Sequence, residues 1–147
     1  MDESVKIQKE DFVADIQNTF SLKEQPLAQY SSLALAYICD GIYDLIIRTM
    51  MVEKGNARVN QLHRKVSNLV KAATQAQMIH KLEPILTEQE LAVYHRGRNA
   101  KSYTKAKNAS VADYRCATGF EALMGYLYLD HQMERILELV KYGLEEE

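Results

Sequence analysis

The chain has 147 residues, enough to fold as one domain around an apolar core without disulfides or a structural metal. Two prolines and six glycines over that length, with Ala, Leu, Lys, Glu and Gln plentiful, favour helices over strands, so an all-α class is expected. The net charge of -2 hides an asymmetry: residues 54–115 hold twelve Lys/Arg against four acids, a net of +8, and the rest holds six against sixteen, a net of -10. A basic middle between acidic ends suits a chain that turns one face to a polyanion, although solvated helix faces with no partner give the same pattern.

Several classes fall away early. Cys39 and Cys116 lie far apart in apolar stretches with no C-x-x-C and no zinc-site spacing, as free thiols of a reducing compartment do. The N-terminus has neither a basic region nor an apolar core of a secretory signal, and the apolar stretch 33–52 is interrupted by Asp40, Asp44 and Arg48, against a membrane span. A cytoplasmic protein is expected.

Residues 1–28 read as a polar N-terminal segment with a short helix near 7–16 and no assigned chemistry, and 29–147 as the functional domain. From 31 to about 52 the chain is apolar on nearly all sides, the pattern of a helix at the centre of a bundle, and Gly55-Asn56 stops it. A helical period over 59–82, breakable at Ser67-Asn68, is closed by Pro84. Thr87-Glu-Gln-Glu90 is a capping box opening the next helix. Residues 96–108, basic and nearly without aliphatic side chains, read as an exposed loop. Ser110 caps a helix to about Leu129, and a last helix follows to about Tyr142.

Asp40 stands out because an aspartate inside an otherwise buried helix costs several kcal/mol unless a cation or strong donors compensate it. Asp44 lies one turn later on the same face but has Arg48 at i+4, the spacing of an ordinary helix ion pair. Gly41, between the acids, is expected to mark the close passage of another backbone. Glu121 repeats the anomaly, a lone carboxylate in a second apolar helix with Gly119 and Gly125. Two carboxylates on close-packed helices suit a hard cation such as Mg²⁺. A hydrogen bond from Tyr37 or Tyr43, or Arg115, could equally satisfy them. The histidines at 63, 80, 95 and 131 form no H-x-x-x-H pair and read as surface residues. Neither a nucleophile elbow nor a phosphate loop is present, which leaves phosphoryl transfer by metal-activated water. Arg96, Arg98, Lys101, Lys105 and Lys107, interleaved with Asn99, Ser102 and Thr104, suit the phosphates and 2′-hydroxyls of an A-form duplex.

Leu33-Ala-Leu-Ala-Tyr-Ile-Cys-Asp-Gly-Ile-Tyr-Asp44 resembles the signature helix of the ribonuclease III family, and residues 120–130 resemble its second acidic helix. Asn60-Gln-Leu-His-Arg-Lys65 and Arg96-Gly-Arg-Asn-Ala-Lys-Ser102 are similar to the Mini-III branch, which consists of the catalytic domain alone. The resemblance implies a homodimeric helical catalytic domain that cuts double-stranded RNA with Mg²⁺, Mn²⁺ being a substitute. It implies Asp40 and Glu121 as catalytic metal ligands, Asp44 and Thr118 as supporting residues, and Arg64, Lys65 and Lys71 as RNA contacts beside the basic stretch. The substrate implied is the large-subunit (23S) ribosomal RNA precursor, with a ribosomal protein as helper and 5′-phosphate and 3′-hydroxyl products. An inactive RNA-binding assembly protein of the same fold is the alternative, against which both acids count. The chain departs from longer family members at Ala36 and Thr118, where they carry acids, and at Cys39, where glycine is usual. Fewer protein ligands and more waters around the metal are expected, and the Cys39 side chain could crowd either the helix packing or the approach of RNA.

Overall fold

The computed structural model describes residues 11–55, 57–100 and 110–145, and among these every regular element is helical. The elements are α1 (Phe12–Thr19), α2 (Ser32–Glu53), α3 (Val59–Val70), α4 (Ala72–Leu82), α5 (Glu88–Asn99), α6 (Val111–Leu129) and α7 (Met133–Leu144), with 3-10 turns at Leu27–Gln29 and Glu83–Ile85. Caps set the starts: Ser31 and Ser110 accept from the amides of Ala34 and Asp113, and the expected box at Thr87 and Glu90 is complete.

The centre of the bundle is α6. Every residue from 117 to 128 is buried except Glu121, which is half-buried. Helix α2 makes the most extensive packing on it, then α5 and α4, with α7 behind α4 and α6. The rings of Tyr43 and Phe120 meet edge to face at 5.4 Å across the α2–α6 contact, a favoured aromatic geometry. Gly125 permits the closest approach, since a Cβ there would lie 1.9 Å from the Leu35 carbonyl oxygen.

Four expectations shift. The sequence pattern puts α2 at the centre, but it exposes Leu33, Tyr37, Leu45 and Val52 along one side; an all-round apolar pattern demands cover without saying which chain supplies it. Gly41 lies on that side, and a Cβ there would meet nothing within 4 Å, so the close backbone passage occurs at Gly125 instead. The helix over 59–82 breaks at Lys71, in extended conformation, rather than at Ser67-Asn68; the corner lets α3 lie on α2 and α4 on α6, and Thr74 Oγ1 donates across it to the Asn68 carbonyl. The N-terminal helix among the described residues runs Phe12–Thr19, capped by Asp11.

Candidate active site

The two singled-out carboxylates come together. Helices α2 and α6 approach most closely at Leu35 and Gly125, and about one turn after Leu35 and one turn before Gly125 Asp40 and Glu121 meet. Burial, then the hydrogen bond and charge of Asp40, push the Glu121 carboxyl up to about 8. A side-chain hydrogen bond from Gln75 opposes that rise. Two acids pressed together are costly unless a proton or a cation intervenes.

Asp40 is exposed in the single chain rather than buried as its helix pattern suggests. It stands at the edge of the uncovered side of α2, and its anomaly is the neighbouring carboxylate. The alternative partners do not serve it. Tyr43 donates its hydroxyl to the Leu69 carbonyl at 2.8 Å and also contacts Met78 Sδ, Tyr37 is 78% exposed, and Arg115 is exposed. Asp44 is ion-paired with Arg48 at 2.6 Å, as the i,i+4 spacing predicts. Thr118 is buried and donates to the carbonyl of Tyr114 at 3.0 Å, within its own helix. Ala36 is buried and brings no oxygen to the site.

Cys39 belongs to the core. Its thiol is fully buried and is held well above the usual thiol range by burial, then by the charges of Glu121 and Asp40. The side chain therefore packs within the core and does not project into solvent.

Sequence reasoning misses Gln75. It is 4% exposed, among the few buried polar side chains, and it stands on the buried stripe of α4 with Met78, Ile79 and Leu82. A polar residue at i of an apolar i, i+3, i+4, i+7 series is the available signal.

The basic residues separate. Arg64, Lys65 and Lys71 are exposed on α3 and at the α3–α4 corner. Arg96, Arg98 and Asn99, expected in a loop, lie on the last turn of α5, which continues because Gly97 is buried against α6, where a Cβ would meet Ala122 Cβ at 2.8 Å. Arg98 sets its guanidinium over the Tyr94 ring at 5.6 Å, a cation–π contact, while Arg96 and Asn99 are exposed. Lys101, Lys105 and Lys107 lie outside the described residues.

A family profile of the ribonuclease III domain matches residues 33–132, which span both acidic helices and the crossing between them. The chain belongs to the ribonuclease III family. It is 48% identical over 119 residues to Mini-ribonuclease 3 of Clostridium tetani, covering 80% of this chain and 79% of that one. It is 49% identical over 116 residues to Mini-ribonuclease 3 of Enterococcus faecalis, covering 78% and 88%. A crystal structure of a Fusobacterium nucleatum protein superposes with a TM-score of 0.70 at 29% identity, over 77% of this chain and 90% of the other. Within the ribonuclease III family the chain falls in the Mini-III branch and is an endoribonuclease. No helix of the described residues is long and apolar enough to cross a membrane.

Proposed function

We propose that this ribonuclease III family member cuts double-stranded RNA as a homodimer, with Asp40 and Glu121 holding a divalent cation, Mg²⁺ by preference and Mn²⁺ as a substitute. The observation that carries the reading is the contact of these two carboxylates, with the nearest ordinary cation on the helix, Arg48, taken by Asp44. Carboxylate oxygens are the donors a hard cation selects. Among the described residues no three His, Cys, Asp or Glu side chains gather around one point, so waters complete the coordination shell. When bound, the metal lowers the pKa of a water that can attack phosphorus, giving 5′-phosphate and 3′-hydroxyl ends. The protein's share is to fix the two acids: the α2–α6 crossing sets their separation, and Gln75 steadies Glu121.

The uncovered side of α2, with Leu33, Tyr37, Gly41, Leu45 and Val52, supports the homodimer, since an exposed apolar stripe is the kind of surface a subunit contact covers. Asp40 and Asp44 border that stripe. Arg64, Lys65, Lys71, Arg96, Arg98 and Asn99, with Lys101, Lys105 and Lys107, are assigned to RNA phosphates and sugars. The free thiols of Cys39 and Cys116 support a cytoplasmic site of action. The 23S ribosomal RNA precursor as substrate and a ribosomal protein as helper rest on the resemblance to the Mini-III branch alone.

The test is cleavage of a long RNA duplex against single-stranded RNA with Mg²⁺, with analysis of product ends. Duplex cleavage that falls by roughly 10²- to 10⁴-fold in Asp40→Asn and in Glu121→Gln, with RNA binding retained, is expected. Cleavage of single strands alone, or normal cutting by both variants, overturns the assignment.

A further inference from the structure

His131 lies on the surface, as expected, yet its ring is not free. It occupies the corner between α6 and α7 at a φ of 60°, a left-handed conformation that His, Asn and Asp adopt more readily than other side chains. Both ring nitrogens are engaged: Nδ1 lies 2.6 Å from Asp11 Oδ2 and Nε2 lies 2.5 Å from Glu24 Oε1. With a carboxylate at each nitrogen, both must donate, and only the imidazolium has two N–H groups. The two acids bracket α1, Asp11 as its N-cap and Glu24 five residues beyond its end.

The segment these acids belong to has little else to hold it. Val13 is the only buried residue of α1, whereas Phe12, Phe20 and Leu22 are all more than half exposed. The segment also lies outside the residues matched to the ribonuclease III domain, whereas His131 lies within them. A cleft of about 680 Å³ is lined by Asp11 and Val13 from the N-terminal segment and by Tyr128, His131 and Met133 from the α6–α7 corner.

We propose that His131 is a proton-operated clasp that docks the segment 11–24 onto the α6–α7 corner and releases it when the imidazole becomes neutral. The titratable and charged groups near the ring, among the described residues, come from three elements. From the N-terminal segment come Asp11 and Glu24, and from α6 the un-ionised Tyr128. Asp130, beside the ring in sequence, accepts from Gln132 Nε2 at 2.6 Å. On α7, Arg135 is held by Glu90 and Glu138, and Glu134 lines the same cleft. Among the described residues, Asp11 and Glu24 are the acids bonded to the ring nitrogens. The Glu24 hydrogen bond, followed by that of Asp11, raises the pKa of His131, and His131 in turn lowers that of Glu24. A histidine raised on docking contributes its stabilisation in full below the ordinary histidine pKa and loses it as pH rises through the raised value.

Amide hydrogen exchange of residues 12–20, as protection factors corrected for intrinsic rates, tests the clasp, with the core amides of α6 as internal reference. Wild-type protection is expected to fall by roughly tenfold between about pH 6 and about pH 9 while the α6 amides hold steady. His131→Asn keeps a residue that tolerates the left-handed backbone, and should show the high-pH protection at both pH values. Glu24→Gln, which leaves the Asp11 cap intact, should lose part of the pH response. Wild-type protection that is equal at the two pH values, or His131→Asn with undiminished protection at about pH 6, overturns the proposal.

Discussion

Two glutamates, Glu90 on α5 and Glu121 on the central helix α6, meet opposite fates. Glu90, on α5, is buried, and Arg135 grips both its oxygens, Nε at 2.9 Å and Nη2 at 2.8 Å, while Oε1 also closes the capping box on the Thr87 amide at 2.9 Å. That grip holds the Glu90 carboxyl below the usual range. Glu121 also loses solvent, yet its nearest charged neighbour is another acid, and its carboxyl rises to about 8. The fold can supply an arginine to a carboxylate when stability is all that matters. Leaving Asp40 and Glu121 together without one is a cost that a proton on Glu121, or the divalent cation proposed above, offsets.

Breaking the compensated site should have the larger effect on stability. Arg135→Met leaves Glu90 buried without its cation and frees the Ile85 carbonyl that Arg135 Nη2 reaches at 3.1 Å, so a loss of about 2–4 kcal/mol is expected by denaturant titration. Because the Glu90 pKa is lowered on folding, its contribution is present above the ordinary carboxylate pKa and fades as pH falls through the lowered value. The variant should therefore lose less stability on acidification than the wild type. An equal acid response in both would mean that Arg135 contributes by packing alone.

The uncompensated site should respond with the opposite sign. Between the ordinary value of 4.5 and about 8, folded Glu121 binds more proton than the unfolded chain does, so it makes the metal-free protein less stable as pH rises across that window. Glu121→Gln removes this slope. Discounted for its partial exposure, the gain above the window is about 1–2 kcal/mol without metal, and it should shrink or reverse when Mg²⁺ is added to the wild type. A variant less stable than metal-free wild type at about pH 8 would show that the acids are satisfied within the protein.

Much of this contrast is legible in the sequence, and the blind spots have physical causes. Caps at Ser31, Thr87 and Ser110 are local, so spacing reveals them. The pairing of Asp40 with Glu121 joins residues 81 positions apart; two lone carboxylates in apolar helices suggest it, and the family resemblance makes it specific. Gly97 sits among basic residues that suggest a loop, although its role is a close helix contact, which no local pattern reveals. Asp40 stands out in the sequence for the wrong reason, because a helix apolar all round predicts burial without saying that a single chain leaves one side bare. His131 draws no notice there because its partners, Asp11 and Glu24, lie more than a hundred residues away and carry no motif.

The smallest expected effect separates two roles for a third acid. Asp44 stands one turn from Asp40 and holds Arg48 at 2.6 Å, with both side chains partly in solvent. An exposed i,i+4 pair of this kind is worth about 0.3–0.5 kcal/mol and is screened by salt, so Asp44→Asn should hardly move the unfolding midpoint. Its effect on cleavage is the informative quantity. If Asp44 acts only as Arg48's partner, the rate at saturating Mg²⁺ should stay within about threefold of wild type, and Arg48→Met should give the same small change. If Asp44 instead reaches the metal's waters, the Mg²⁺ concentration needed for half-maximal rate should rise by about tenfold in Asp44→Asn. Arg48→Met, which frees the carboxylate, should then lower it. Opposite movement of the two variants in Mg²⁺ requirement places Asp44 with the uncompensated pair; parallel movement places it with Glu90, as an acid already matched by its own arginine.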